Sequence, residues 1–568
     1  MVFRKFKKNK IRDSFVEPDE IFLDSKNLEN FDRQQFEGRI EKPIKRKTIN
    51  FLGAFFVLVI IIFGSRLSYL QIQNGDAYRK RSEDNILEKV SIFTERGIIY
   101  DRNKKELAWN KSSGTNPSED MSLSYTRAYM SPGFSHLLGY VSYPAKDNTG
   151  NYWQTEFLGK DGLEKEYQNE LKGENGSKII EVNARGDVNS ENIINSPKQG
   201  TDLTTTIDSR IQTELFTLIK TLSQSNGFSG GAGVIMDAQN GEVLTSTSYP
   251  EYDSETLSLG KDANKINGYF TDKRKPFLDR TISGLYTPGS IVKPFFGLGA
   301  LNEGVIDQYK QILSTGSISI PNPYFPDQKT VFKDWRANGW TNMAQALAVS
   351  SDVYFYEIGG GFGDQKGLGI SNIEKYANLF GFGEKTGVDL PDETEGTIPS
   401  PEWKIANFKG DAWRIGDTYH TAIGQYGFQV TPMEMARAVS SIANYGKLLT
   451  PHFIVGDTQK ENQFSNLDLP KEYFDVIHQG MRQAVTAGTA VSLNVPYVEV
   501  AVKTGTAQLG VAKNKVNSWV IGFLPYENPK YAFAIMMEAG PTTNSVNAST
   551  VMRQLLNWMS VNTPEYFK

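Results

Sequence analysis

No residue between Lys47 and Arg66 carries a charge, and the centre of that stretch, residues 51–63, reads FLGAFFVLVIIIF. A helix of eighteen residues reaches about 27 Å, close to a hydrocarbon core of roughly 30 Å. Arg66 can snorkel at its end, and Leu67, Tyr69, Leu70 and Ile72 continue the apolar face beyond it. A buried helix of a soluble domain rarely runs so long without a charge. A cleaved leader would start earlier and end at a small-x-small site, which is missing here. Residues 48–72 therefore read as one transmembrane helix. Lys42, Lys45, Arg46 and Lys47 precede it, with Arg4, Lys5, Lys7, Lys8, Lys10 and Arg12 further upstream, while only Arg66 follows closely. The positive-inside rule then keeps the tail, residues 1–47, in the cytoplasm and exports the rest. The tail is polar and mixed in charge, and is expected to be disordered.

The chain beyond the span has the composition of folded protein. Of the 568 residues, 39% are apolar and 22% charged, and a chain of this length divides into units of about 100–200 residues. The net charge of −4 argues against a nucleic-acid binder, which needs a basic face. The absence of cysteine excludes disulfides, thiolate metal sites, iron–sulfur clusters and a cysteine nucleophile. The four histidines, His136, His420, His452 and His478, are far apart, so no H-E-x-x-H zinc motif exists.

Residues 72–200 read as short strands and turns with one helix, 162–171 (GLEKEYQNEL), in which Leu163, Tyr167 and Leu171 form one stripe. Segments 113–120 and 145–151 are turn-rich and read as loops. Arg185-Gly186-Asp187 spells an adhesion tripeptide, but three-letter motifs arise freely by chance and a turn between strands is the simpler reading. From Asp202 the texture changes. A helix over 207–222 precedes a hairpin, GAGVIMD and VLTSTSY, turned at Asn240-Gly241. Helices at 345–358, 373–379 and 432–444 follow. The chain then returns to strands (VEVAVKTGTAQ, SWVIGFLP, YAFAIMME) and ends in a helix over 549–559. Strands at both ends with helices between predict an α+β or α/β domain whose sheet is built from both ends of its sequence.

Three short segments carry chemistry. In Tyr286-Thr-Pro-Gly-Ser290-Ile-Val-Lys293-Pro, Pro288-Gly289 can open a helix and place Ser290 at its N-terminus, with Lys293 on the same face. A serine hydroxyl needs a base to become a nucleophile, and a lysine of lowered pKa is one such base. Pro294 is tolerated in a first turn. The same S-x-x-K spacing recurs at Ser258-Leu-Gly-Lys261, in a polar, glycine-containing stretch with no helix expected behind it. Ser350-Ser351-Asp352 lies within the helical run AQALAVSSDVYFY and alone reads as a polar step in a helix. Lys503-Thr504-Gly505-Thr506 ends the apolar strand VEVAV. A lysine with small hydroxyl residues on a strand edge can bind a carboxylate and turn N–H groups toward a reacting carbonyl. Alone it also fits an edge strand blunted by Lys and Gly.

Taken together and in order, S-x-x-K, S-x-N/D and K-T-G are the signature of penicillin-binding proteins and serine β-lactamases. The chain resembles a class B penicillin-binding protein, a monofunctional peptidoglycan D,D-transpeptidase. Arg96-Gly-Ile-Ile-Tyr-Asp101-Arg102 with Leu107-Ala108 resembles the opening of that family's pedestal, and Gly162-Leu-Glu164 through Gly176 a later pedestal helix and turn. Leu203 to Gln212 resembles the lead-in to the transpeptidase domain. Asp352, the stretch Trp413-Arg-Ile-Gly416-Asp417-Thr418 through Ile423-Gly424-Gln425, and TPMEMARA at 431–438 resemble the elongation, or rod-shape, type more than the division type. The resemblance implies an α+β transpeptidase fold, a central antiparallel sheet flanked by helices. A strand-rich pedestal at 73–201 and a catalytic domain at 202–568 complete it. The segment from Asn110 to Gly159 is shorter than in better-known members, which implies a trimmed pedestal. Some elongation-type relatives hold zinc near the second motif through Asp, His and Cys. Asp334-Trp-Arg-Ala-Asn-Gly-Trp340 offers neither His nor Cys, so no metal and no cofactor are expected.

The resemblance also implies the roles. Ser290 attacks the carbonyl between the terminal D-alanines of a stem peptide, and Lys293 takes its proton. Ser350, with Lys503 and Asp352 beside it, relays a proton toward the leaving D-alanine. Thr504, Gly505 and Thr506 receive the terminal carboxylate, and N–H groups of Ser290 and Thr506 form the oxyanion hole. Asp352 stands where an amide is usual, and unprotonated it cannot donate, so it is expected to pair with a lysine. Implied partners are peptidoglycan stem peptides, β-lactams as inhibitors, the lipid bilayer and a membrane-embedded SEDS-type glycosyltransferase. Two other readings use the same residues. A D,D-carboxypeptidase or β-lactamase would hydrolyse the acyl-enzyme, although no separate glutamate motif for a deacylating water is evident. A non-catalytic activator of the glycosyltransferase would not need Ser290.

Overall fold

The computed structural model describes residues 45–84, 87–112, 125–149, 152–182, 188–322, 325, 327–456, 458–461, 463–510 and 512–568. The tail up to residue 44, the segment 113–120 and Arg185-Gly186-Asp187 lie outside the described residues. Two units are distinguished, one of them formed by Lys89–Ile180 and Val188–Lys568. The other carries the apolar helix α1, Arg46–Ser68, which runs on through a π turn, Tyr69–Gln73. No residue of α1 is buried, and its uncharged apolar run suits a membrane span. It is the one helix among the described residues long and apolar enough to cross a bilayer. A second helix, α2 (Gly75–Asp84), is absent from the reading of 72–200 as strands, turns and one helix. Its sequence, GDAYRKRSED, has no apolar stripe by which periodicity could reveal it.

Within the larger unit, the expected pedestal holds a four-stranded sheet in the order Leu203–Thr204, Ile99–Tyr100, Glu106–Ser112, Tyr125–Tyr129. The predicted helix 162–171 is two short pieces, Gly162–Glu166 and Gln168–Leu171, broken at Tyr167. Its stripe still faces inward, since Leu163 and Leu171 are fully buried. Ala145–Lys146, expected in a loop, pairs with Tyr152–Gln154 as a small hairpin.

A buried charge network holds this part together. Arg96 and Arg127 both donate to Glu164, the second at 2.7 Å, and all three side chains are shielded from water. The guanidiniums also reach the carbonyls of Phe157 and Gly97 and the side chains of Gln168 and Asn110. Burial alone would raise the Glu164 pKa, but the two guanidiniums outweigh it and hold the carboxyl below the ordinary glutamate value. Breaking such a triad leaves two buried cations without a counter-charge. Glu164→Gln is expected to cost about 3–5 kcal/mol, read as a lowered midpoint in denaturant. The group's stabilisation is present above its unfolded pKa of 4.5 and fades as pH falls from there through the depressed folded value. The wild-type advantage over Glu164→Gln should therefore shrink on acidification below that pH.

Residues of the expected pedestal bond to residues beyond 202 within the same unit. Asp101 accepts from the Ser209 hydroxyl at 2.7 Å, Arg102 pairs with Glu242, and Tyr167 donates to Asp389 at 2.7 Å. Ser209 opens α3 (Ser209–Asn226), capped by Asp208, whose carboxylate accepts the Arg210 N–H. Next come β1 (Gly230–Asp237) and β2 (Val243–Tyr249), the predicted hairpin. Helices α4 (Lys293–Asn302), α5 (Met343–Val349), α6 (Asp352–Gly360), α7 (Pro432–Ala443) and α8 (Lys471–Thr486) follow. The chain closes with β3 (Ala501–Leu509), β4 (Lys515–Leu524), β5 (Tyr531–Pro541) and α9 (Ala548–Asn562). The antiparallel sheet runs β2-β1-β5-β4-β3, so strands from both ends of the domain share one sheet. The two-residue period divides its faces. Ala232, Val234, Met236, Trp519, Ile521, Ala534 and Met536 enter one core with α7. Ile235, Val520, Phe533, Ile535 and Met537 enter the other, with Ile211, Leu215 and Ile219 of α3 and Leu555 and Leu556 of α9. Helix α7 begins in a capping box between Thr431 and Glu434, with Pro432 in its first turn.

Candidate active site

Strand β3 is the free edge of the sheet, and its residues alternate between a buried and an open face. Lys503 and Gly505 point into the protein, while Thr504 is half-buried and Thr506 exposed. Gly505 is required by close approach. A Cβ there would lie 2.8 Å from the Ile291 side chain and 2.9 Å from the Pro288 carbonyl, so glycine lets β3 press directly on the turn that carries Ser290.

That turn is a short 3-10 helix, Gly289–Val292, which runs into α4 at Lys293. Ser290 thus sits one turn ahead of the α-helix, with Pro294 tolerated inside its first turn. The turn is held from two sides. The Trp519 indole donates to the Thr287 carbonyl at 3.1 Å, and the Gly289 N–H to the Gly424 carbonyl at 2.9 Å. Gly424 has φ +73°, and a Cβ on it would come within 2.2 Å of the Gly289 carbonyl oxygen.

The second motif departs from the predicted continuous helix over 345–358. Helix α5 ends at Val349 and α6 starts at Asp352. Ser350 lies between them in the left-handed region, φ 57° and ψ 42°. For a residue with a Cβ this conformation costs about 1–2 kcal/mol, so the surroundings must enforce it. The Ser350 and Ser351 N–H groups bond back to the Leu347 and Ala346 carbonyls. Ser351 then caps α6 by accepting the Tyr354 N–H.

The break aims both ends of Ser350 at lysines. Its carbonyl accepts from Lys293 Nζ at 2.9 Å and its hydroxyl from Lys503 Nζ at 2.7 Å. Lys293 is fully buried and also bonds Asp352 Oδ1 at 2.6 Å, the lysine pairing expected for that carboxylate. Lys503 donates to the Thr504 carbonyl as well, at 2.8 Å. Burial, and then the nearby Lys293 charge, push the Lys503 ammonium well below the usual lysine pKa, with Asp352 opposing. A lysine that releases its proton readily and touches a serine hydroxyl is suited to passing protons. Among the described residues, no hydrogen bond joins Ser290 Oγ to Lys293 or Ser350, whose bonds form one network behind it. Catalytic contacts are often loose without substrate.

The structure therefore brings Ser290, Lys293, Ser350, Asp352, Lys503, Thr504, Gly505 and Thr506 to one edge of the sheet. The second S-x-x-K is elsewhere, and in it the expectation of no helix fails. Ser258 belongs to a helix, Ser254–Leu259, another helix follows at Ala263–Thr271, and its hydroxyl accepts the Val141 N–H. Gly260, left-handed, separates it from the exposed Lys261. Sequence reasoning missed Thr489, whose hydroxyl lies 2.7 Å from that of Thr504 and whose N–H reaches the Ala348 carbonyl. No spacing marks it, because the contact depends on how α8 returns to β3. Among the described residues, no group of His, Asp or Glu side chains is placed to hold a metal ion.

Comparison with known proteins agrees with this arrangement. A family model described as the penicillin binding protein transpeptidase domain matches residues 231–557, and one described as the penicillin-binding protein dimerisation domain matches 115–205. Proteins named peptidoglycan D,D-transpeptidase MrdA are 27% identical to it. The one from Acinetobacter baumannii aligns over 88% of this chain and 86% of its own, the one from Escherichia coli K12 over 90% and 94%. Among solved structures, PBP2 of Pseudomonas aeruginosa in complex with WCK 5153 superimposes with a TM-score of 0.68 at 29% identity, covering 85% of this chain and 98% of that one. PBP2 of Helicobacter pylori in complex with MreC gives 0.68 at 29%, covering 84% and 99%.

Proposed function

Since the chain belongs to the penicillin-binding protein transpeptidase family, we propose how its own residues perform the work of an elongation-type peptidoglycan D,D-transpeptidase. Ser290 Oγ attacks the carbonyl carbon between the two terminal D-alanines of a donor stem. The proton carried by the lysine pair passes from Lys293 through the Ser350 hydroxyl to Lys503, and Lys293, now neutral, accepts the Ser290 hydroxyl proton as the new C–O bond forms. The N–H groups of Ser290 and Thr506 receive the oxyanion. The C–N bond to the last D-alanine then breaks, and Ser350, fed by Lys503, supplies the proton its amine needs. An amine of a neighbouring stem attacks the ester next, the C–O bond breaks, and the proton that amine loses returns Ser290 to its hydroxyl form. Thr504 and Thr506, on the open face of β3, hold the donor's terminal carboxylate, with Thr489 orienting Thr504.

The observation that carries this reading is that both lysines reach the Ser350 hydroxyl, Lys503 at 2.7 Å and Lys293 at 3.5 Å, so a proton can move between them within one buried cluster. Residues 202–568 are read as the transpeptidase domain and 73–201 as its pedestal. Helix α1 is read as a single-pass anchor whose basic N-terminal flank stays in the cytoplasm, placing catalysis outside. A membrane-embedded SEDS-type glycosyltransferase is the partner that this anchor and pedestal suit.

The test is the lifetime of the penicilloyl-enzyme. Full-length protein in detergent is labelled with a fluorescent penicillin, free drug is removed, and the label is followed. Persistence for many minutes, with cross-linked dimers formed from stem-peptide substrates, is expected of a transpeptidase. Rapid loss of label would make it a hydrolase. Absence of any label would favour a scaffold whose role is to activate the glycosyltransferase.

A further inference from the structure

The left-handed conformation of Ser350 needs an external restraint, and a segment outside the three motifs supplies one. Asp334 and Trp335 follow the strand Lys329–Lys333, which pairs with Ser317–Pro321. Asp334 Oδ2 accepts from the Ser351 hydroxyl at 2.7 Å and from the Val353 N–H at 3.1 Å. The same oxygen accepts from Ser314 and Asn338 at 3.0 and 3.1 Å, which fix the carboxylate from the other side. Its Oδ1 accepts the Trp335 N–H at 2.8 Å. Trp335 in turn donates its indole N–H to the Val349 carbonyl at 3.1 Å. The residues immediately before and after Ser350 are thus both held by consecutive residues of one loop.

We propose that Asp334 and Trp335 are positioning residues for the reaction, clamping Val349 and Ser351 so that Ser350 keeps the backbone conformation that connects it to Lys293 and Lys503. Neither touches the reacting atoms. Asp334 acts through Ser351 and the first turn of α6, which also carries Asp352. Trp335 acts through the last carbonyl of α5. Without the two restraints Ser350 relaxes toward ordinary helical angles, α5 and α6 tend to join, and the Ser350 carbonyl and hydroxyl turn away from the lysines. Substrate binding on β3 does not depend on this geometry, so the loss falls on the bond-making step.

The inference rests on Ser350 belonging to the reacting group, and Ser350→Ala measured alongside separates a failure of that premise, in which it labels at the wild-type rate, from a failure of the clamp. Stopped-flow labelling of the full-length chain with fluorescent penicillin yields both the dissociation constant and the acylation rate constant, and thermal unfolding reports stability. Asp334→Ala is expected to slow acylation about 10–100-fold with little change in drug affinity. Asp334→Asn, which keeps one acceptor oxygen, should recover only in part and remain about two- to tenfold slower than wild type. Trp335→Phe removes one N–H from a largely exposed ring, leaves folding intact and should slow acylation about two- to tenfold. The clamp is overturned if Trp335→Phe and Asp334→Asn acylate at the wild-type rate. It is equally overturned if the Asp334→Ala deficit is fully explained by a smaller folded fraction. Should Asp334→Ala fail to fold, the other two variants decide alone.

Discussion

Ser290→Ala should form no covalent adduct with penicillin and no cross-linked product, a loss on the order of 10⁴-fold or more. The expectation follows from the geometry of the turn. Ser290 lies on a short 3-10 segment pinned by Trp519 and Gly424 and pressed by β3 at Gly505. Alanine fits that segment without disturbing it, so the strand edge and the lysine network stay in place. Reversible binding of the drug should therefore survive, measured by competition against an unlabelled penicillin, while gel fluorescence after denaturation disappears. A label that remained on the denatured variant would move the nucleophile elsewhere and undo the reading of this site. Ser258 is no substitute, since its hydroxyl is engaged at the junction with the pedestal.

Lys293→Met should slow acylation by about 10²–10⁴-fold, the range that a positioned proton acceptor contributes. Methionine approximates the length of the lysine stem, and its thioether can take the place of the ammonium over the Phe355 ring. The Asp352 side chain it abandons retains contact with water, at 20% exposure, so the fold is expected to hold. The rate constant for penicillin labelling, compared with the thermal midpoint, separates chemistry from folding. The size of the effect also tells the two lysines apart. Lys503 is the one whose ammonium is pushed down by burial and by the charge of Lys293. A loss smaller than about tenfold would assign the proton acceptor's work to Lys503 through Ser350.

The motifs were legible because each rests on local chemistry. A serine and lysine three apart, a serine before a carboxylate, and a lysine with two threonines on a strand end all announce themselves in order. The sheet was legible for a similar reason. Asn240-Gly241 fixes one hairpin, and the continuous apolar run of Ala532 to Met537 marks a strand buried on both faces. What stayed hidden depends on contacts remote in sequence. The apolar spacing of AQALAVSSDVYFY continues across Ser350, and the side chains that bond the break, Asp334, Trp335, Lys293 and Lys503, are remote from it in sequence. In the sequence Asp334 registered merely as part of a segment unable to hold zinc. Arg96 and Glu164 are 68 residues apart, so nothing in either neighbourhood betrays a buried triad. Helix α2 escaped because a polar helix has no period to read.

The four-stranded sheet that contains Ile99–Tyr100 bears on the order in which the protein matures. Ile99–Tyr100 pairs in parallel with Leu203–Thr204, and the Ile98 N–H bonds Asp202, 104 residues further along the chain. A ribosome delivers the first of these strands long before the second. Until the later strand arrives, Ile99–Tyr100 presents an unpaired edge toward which any other extended segment can be drawn. A contact of such long range also forms slowly once its partners exist. Completion of this sheet therefore waits on Leu203 and Thr204, and a nascent chain arrested before residue 204 would display an open edge rather than a finished sheet.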